Sequence, residues 1–345
     1  MTEALELRIF RKFAPLFGPG EVSTIGIACS VTLDSKDPRL PRLAELEREE
    51  SDRAGCGFVL SWNIERRYTP SEIENAQLFR LIITRRFEPT GEQCGTQYDT
   101  AALCPHCGAG RVQRSTLLLN LRKLPKKGGF SVSLGGEIVV SQEVAERITD
   151  AHMTGFKFRP IGHRAGPFSG PLDLKEVPSG RILLAEAAKV GLSASDGEFD
   201  VWLNRGQNKS LFDAAMREGG QLEETRGTSA PLPVWHQLVP EGEAAVVAAP
   251  TKFGINPLDE DPHVKYRCPN GHTAGLNLLS EVTIDPESWK GRDLCVTNVL
   301  AGHHPHDSVL YPEPILLVSP KFRALLERLN SKGVKTEIAH LATGQ

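Results

Sequence analysis

Apolar and polar positions follow two different periods along this chain, and the changes of period mark out its elements. From Glu3 to Phe17 the apolar residues Leu5, Ile9, Phe10, Phe13 and Leu16 keep a helical spacing that stops at Gly18-Pro19-Gly20, which predicts a first helix. Val22 to Leu33 is rich in β-branched residues and predicts a strand; Leu43 to Arg53 predicts a charged helix, and Phe58 to Ile64 a further strand. Thr69-Pro70-Ser71-Glu72 has the make-up of a capping box with proline at the first helical position, and the helix it opens leads into a strand over Leu78 to Phe87. Between Gly162 and Asp261 glycine and proline are frequent. Helical spacing survives there only at Arg181 to Val190 and Leu211 to Arg217, and a short strand at Phe199 to Leu203. Trp202, Phe212 and Trp235 need burial, so this stretch reads as a connecting lobe and not as a disordered linker.

Two segments echo one another. Gly136 to Phe158 and Pro314 to Thr336 superpose without gaps at a constant offset of 178 positions, which sets Ser141 on Ser319. Each reads strand, helix, glycine, strand. Ser141 and Ser319 stand where an N-cap hydroxyl accepts from a free backbone N–H, and Gly155 and Gly333 stand where a left-handed residue ends a helix. Val144, Ile148 and Ala151 answer Phe322, Leu326 and Leu329, so both helices present an equivalent apolar stripe. Identities are few, and two capped helices can resemble one another by chance. Position favours a repeat: a cysteine knuckle and a leucine-rich stretch precede each segment.

Composition narrows the classes. The 345 residues, 40% of them apolar, suffice for two domains or one large two-lobed unit that folds without help from metal. No run of about 18 apolar residues occurs, and Met1 to Phe13 lacks the features of an export signal, so the cytoplasm is the expected address and no membrane partner is expected. The net charge of −3 names no partner. Seven cysteines, an odd number scattered through the chain (Cys29, Cys56, Cys94, Cys104, Cys107, Cys268, Cys295), argue for reduced thiols, and clustered ones for metal.

Cys104-Pro105-His106-Cys107-Gly108 is a zinc knuckle by its chemistry, two thiolates two residues apart with a glycine for the tight turn beneath the ion. Cys268-Pro269-Asn270-Gly271-His272 supplies a thiolate and an imidazole, and the two pairs complete a tetrahedral Zn2+ set. Cys94 is an alternative ligand, because Cys94, Cys104 and Cys107 can form a local three-thiolate group completed by Cys268 or His272. A closed set of four has no position for water, so the zinc is expected to be structural. The competing readings are a Cys104/Cys107 redox pair and small buried hydrophobes at Cys94 and Cys268.

Other clusters carry weaker signals. His303-His304-Pro305-His306-Asp307 could bind a second metal, although such runs are more often solvated loops. Arg111, Arg114, Arg122, Lys123, Lys126 and Lys127 form a basic stretch beside the first knuckle, which in a zinc ribbon suggests phosphate contacts and otherwise forms a polar strand face. No phosphate-binding glycine loop, nucleophile elbow or His-Glu-x-x-His pattern occurs, and no carboxylate pair stands out as catalytic.

Two distant CxxCG-like knuckles, each followed by a leucine strand and a β-α-β unit, the second ending in Gly333-Val334-Lys335-Thr336-Glu337, resemble the double-CXXCG-motif family. That family includes immunity proteins of contact-dependent bacterial toxin systems. The resemblance is clearest over Cys268 to Leu341, and it departs at His272, where the family has cysteine and glycine. It implies a zinc-stabilised, non-catalytic protein that neutralises a cognate toxin by covering its active surface. Together these readings give an α+β protein of two pseudo-repeated β-α-β halves joined by a zinc-ribbon-like site. Its regions are an N-terminal α+β part (1–90), a first knuckle half (91–163), a connecting lobe (164–261) and a second knuckle half (262–345). A zinc-ribbon nucleic-acid binder is the first alternative, and a zinc-dependent enzyme with an open coordination position the second.

Overall fold

Leu5, Leu7 and Ile9 are buried and Glu6 and Arg8 between them are exposed, a period of two that makes Thr2–Phe10 a strand, β1, in the computed structural model. The helix expected over Glu3 to Phe17 is thus corrected. Its spacing passed over Leu7, which decides the period, and only Arg11–Leu16 coils, as a short 3-10 segment. The structure describes residues 1–124, 129–164, 233–261, 267–302 and 312–343, together with strand backbones at 180–183, 198–199 and 221–224.

β1 lies between β3 (Ala28–Asp34) and β4 (Val59–Arg67), with β2 (Val22–Ile25) outside β3. The single strand expected over Val22 to Leu33 is therefore a hairpin, broken at Gly26-Ile27. Helix α1 (Leu40–Ala54) covers one face of this sheet through Leu43. The same helix buries the carboxylate of Glu47, which accepts from the backbone N–H of Phe58 at 2.7 Å and Val59 at 3.2 Å and from Asn256 Nδ2 at 2.8 Å. Those bonds tie the N-terminal sheet to a segment some two hundred residues away. Helix α2 (Pro70–Asn75) opens with the expected capping box: Thr69 Oγ1 accepts from Glu72 N, and Glu72 Oε2 accepts from Thr69 N.

The strand expected over Leu78 to Phe87 divides into β5 (Leu78–Ile83) and β6 (Arg86–Phe87), which enter different sheets. The chain continues through a two-stranded ladder, β7 (Tyr98–Asp99) with β8 (Val112–Gln113), and then β9 (Leu117–Leu119), β10 (Phe130–Ser133), β11 (Ile138–Ser141), α3 (Gln142–Asp150) and β12 (Phe156–His163). In the connecting lobe β13 (Gly180–Leu183) pairs with β14 (Glu198–Phe199) and β15 (Gln221–Glu224). Arg181 to Leu183 thus run as a strand where a helix was expected, their backbone groups being taken by Gln221–Glu223. The rest of that expected helix, the one at Leu211 to Arg217, and Trp202 and Phe212 lie outside the described residues.

The remaining elements are β16 (Trp235–Pro240), β17 (Val247–Ala248), β18 (Phe253–Asn256), β19 (Asp259–Glu260), β20 (Asn277–Leu278), β21 (Thr283–Ile284), α4 (Pro286–Trp289), β22 (Leu294–Ala301), β23 (Glu313–Val318), α5 (Pro320–Arg328) and β24 (Val334–Leu341). β18 pairs with β19 and β20 in a three-stranded sheet, and the other strands complete two six-stranded sheets of mixed direction, one in the order β6-β10-β11-β16-β12-β9 and the other β17-β21-β24-β5-β23-β22. The chain is accordingly a mixed α+β protein. Helices α3 and α5 bury Val144, Ala145 and Ile148 on one side and Phe322, Leu325 and Leu326 on the other in one cluster shared by strands of both sheets. Among the described residues no helix is long and apolar enough to cross a membrane.

Glu47→Ala leaves buried donors without a partner and a void behind them, and is expected to lower the unfolding free energy by about 3 kcal/mol. Burial is the largest influence on Glu47 and holds its pKa above the usual 4.5. Folding therefore favours the protonated form, so the deficit of the variant widens as pH falls from neutrality towards 4.5. Urea unfolding of both proteins across that range checks the size and the sign.

Candidate metal centre

Two turns from distant parts of the chain meet to make this site. The first hangs from the β7–β8 ladder: Cys104 N–H donates to Ala109 O at 2.7 Å and Gly108 N–H to Cys104 O at 2.9 Å, which folds Cys104 and Cys107 onto one side of a tight loop. Gly110 closes that loop at φ +95°, and a Cβ there would stand 2.3 Å from the carbonyl oxygen of Ala102. The second turn is closed by Gly271 N–H to Cys268 O at 2.7 Å and Cys268 N–H to His272 O at 3.0 Å. Ala109 and Ala274 pack with the three buried cysteines, Leu300 packs against them, and His272 is partly exposed.

The Sγ atoms of Cys104, Cys107 and Cys268 and a ring nitrogen of His272 all lie within 4.8 Å of one another and could hold a metal ion. Cys104 Sγ is 3.5 Å from Cys268 Sγ, and Cys107 Sγ is 3.3 Å from His272 Nδ1. Zn–S bonds of about 2.3 Å at tetrahedral angles place two sulfurs about 3.8 Å apart, so the observed edges are close to that geometry and slightly contracted. Nδ1 is the ring nitrogen of His272 that faces the sulfurs. The seven-cysteine inventory thus separates: among the described residues these are the only three cysteines in such a group, and Cys94 is not in it. Cys94 is fully buried, which pushes its thiol up to about 11, and its N–H donates to Thr90 O; it packs as a small apolar side chain.

A dication held by three thiolates and one neutral imidazole would leave a net charge of −1, and hydrogen-bond donors face Cys104 and Cys268. Burial works against ionised Cys104, yet N–H groups of His106 and Cys107, then the Cys268 and Asn270 side chains, outweigh it and hold the Cys104 thiol well below its ordinary value. Burial and the neighbouring sulfurs push Cys107 the other way. A cation bound to the three sulfurs as thiolates would offset their mutual repulsion. Asn270 is the residue that the sequence reading missed. Its Nδ2 donates to Cys104 Sγ at 3.3 Å and its backbone N–H to Cys268 Sγ at 3.4 Å, so one side chain ties the two turns together. Its place two residues after Cys268, in the interior of the knuckle, was the available signal.

The basic stretch beside the first knuckle is partly engaged. Arg111 pairs with Glu92 at 3.1 Å and stacks on the Tyr98 ring at 3.4 Å, and Arg114 pairs with Asp99. Lys126 and Lys127 lie outside the described residues, as do His303, His304, His306 and Asp307. Comparison of the chain with family models, with curated proteins and with solved structures returned no match.

Asn270→Ala removes a sulfur-directed donor while keeping every ligand, and is expected to weaken metal affinity by about 10- to 100-fold. Competition against a chromophoric chelator measures it. Cys94→Ser in the same assay is expected to leave affinity unchanged.

Proposed function

We propose that Cys104, Cys107, Cys268 and His272 bind one structural Zn2+, and that the chain is a non-catalytic protein-binding protein in which this ion joins two related halves. The observation that carries the reading is the donor set itself: four groups, from turns 164 residues apart, converge within 4.8 Å of one another, with Cys104 Sγ 3.5 Å from Cys268 Sγ and Cys107 Sγ 3.3 Å from His272 Nδ1. Four protein ligands fill a zinc ion's preferred coordination, so the ion holds the turns together and leaves no position for a reacting water. Soft thiolates with one imidazole select zinc over magnesium or calcium, which favour oxygen donors.

The two knuckles, with their leucine strands and β-α-β segments, support a working assignment as an immunity protein. In this role the chain covers the active surface of a cognate bacterial toxin and blocks it by direct contact in the cytoplasm. Recognition is then a matter of surface shape and charge, and the zinc acts at a distance by keeping that surface in register. The nucleic-acid alternative draws on Arg122 and Lys123, which are exposed. It loses support from Arg111 and Arg114, whose charges are engaged by Glu92 and Asp99.

Metal analysis of protein purified without added metal is expected to give one zinc per chain, and close to none for Cys104→Ser or Cys268→Ser. A full equivalent of tightly bound zinc in each single variant contradicts a site shared by both turns. For the partner, the reading predicts a secreted toxin encoded beside this gene, and co-expression of the chain with that toxin is expected to restore growth and to yield a stable complex. No protection, together with salt-dependent DNA or RNA binding that is lost when Arg122 and Lys123 are neutralised, favours the nucleic-acid reading.

A further inference from the structure

The two β-α-β segments agree in detail beyond their order of elements. Ser141 Oγ accepts from Val144 N–H, and Ser319 Oγ from Phe322 N–H. The serine N–H donates to Gly129 O in one and to Asp293 O in the other, both at 3.0 Å. Past the helix, His152 and Asn330 take left-handed φ values of 48° and 46°, and Gly155 and Gly333 values of 95° and 94°, each pair 178 positions apart.

The sheets agree as well. Reading β10-β11-β16-β12-β9 against β22-β23-β5-β24-β21, every neighbour relation has the same sense: antiparallel, antiparallel, antiparallel, parallel. In chain order each set runs knuckle, outer strand, hairpin, helix, strand. The central strands are the exception to this separation. β5 comes before the first knuckle but lies between β23 and β24 of the second set. β16 comes before the second knuckle but lies between β11 and β12 of the first. The chain leaves each central strand through the same contact, Thr84 N–H to Gly333 O at 2.9 Å and Glu241 N–H to Gly155 O at 2.8 Å.

We infer that the chain is an internal duplication whose two units have exchanged their leading strands, so that each unit is the obligate partner surface of the other. The inference rests on the two-half reading above but not on the metal. Without β5, the facing edges of β23 and β24 carry two rows of unpaired N–H and C=O groups, and the slot between β11 and β12 is in the same position without β16. Phe79, Leu81 and Ile83 of β5 also enter the cluster that α5 covers, so the inserted strand supplies core as well as hydrogen bonds. Withdrawing a central strand means opening a sheet along both sides at once. The metal turns form a second, separate link between the same units, and removing the ion leaves the first link intact.

The test uses the full chain with a protease site inserted within residues 200–210, cut after folding, and passed over a sizing column with and without chelator. The two pieces are expected to elute together at the volume of the intact protein in both runs and to part only in denaturant. Hydrogen exchange on the nicked, chelated protein is expected to keep β5 and β16 among its slowest amides. Pieces that part in native buffer and each keep their own folded spectrum overturn the exchange. Pieces that part only with chelator also overturn it, while leaving the structural metal standing. Arg80→Pro gives an independent reading, because proline removes a ladder donor from a central strand. Faster exchange in β23 and β24 supports the inference, and faster exchange confined to β9–β12 contradicts it.

Discussion

Three sulfurs and an imidazole nitrogen lie within 4.8 Å of one another beside Ala109, Ala274 and Leu300. As thiolates they repel at short range in a medium of low dielectric constant; as thiols they satisfy few of the donors aimed at them. A soft dication resolves both problems at once. The surrounding N–H groups of His106, Cys107 and Asn270 then share the one net negative charge that remains. The turns that carry the ligands emerge from two small sheets, the first from the β7–β8 ladder and the second from between β19 and β20.

The site requires that two parts of the chain separated by 164 residues be delivered to one place with ångström precision. The sheets do this by placing a strand from outside each β-α-β segment at its centre, β16 in one and β5 in the other. Helices α3 and α5 then close over one common core, with Phe322 fully buried and its ring 6.1 Å from that of Phe156. Glu47 and Asn256 make the corresponding tie for the N-terminal sheet, and Asp293 another, accepting from the distant Thr154 N–H at one oxygen and from Ser319 Oγ at the other. The result is a framework in which long-range polar bonds and inserted strands fix positions that local sequence cannot.

What could be read from the sequence was local chemistry. The capping box at Thr69, the serine caps at Ser141 and Ser319, and the knuckle turns at Cys104 and Cys268 each involve residues within five positions of one another, and the backbone follows them. The first strand was misread because Leu5, Ile9 and Phe13 fit a helical spacing, whereas Leu7 and the two neighbouring strands impose a period of two. Strand pairing was out of reach for a different reason. Leu78 to Phe87 looks like one apolar run, and nothing within it says that Ile83 and Arg86 belong to different sheets; that depends on partners some 50 and 250 residues away. Asn270 was visible as a knuckle residue, but its bond to Cys104 exists only once the turns have met.

We propose a single zinc ion held by three sulfurs and one nitrogen drawn from both turns. X-ray absorption at the zinc edge of the purified protein addresses it most directly. The expected spectrum shows a first shell of three sulfurs at about 2.3 Å and one nitrogen at about 2.0 Å, with no water oxygen. A shell with two or fewer sulfurs, or one completed by a solvent oxygen, would contradict it.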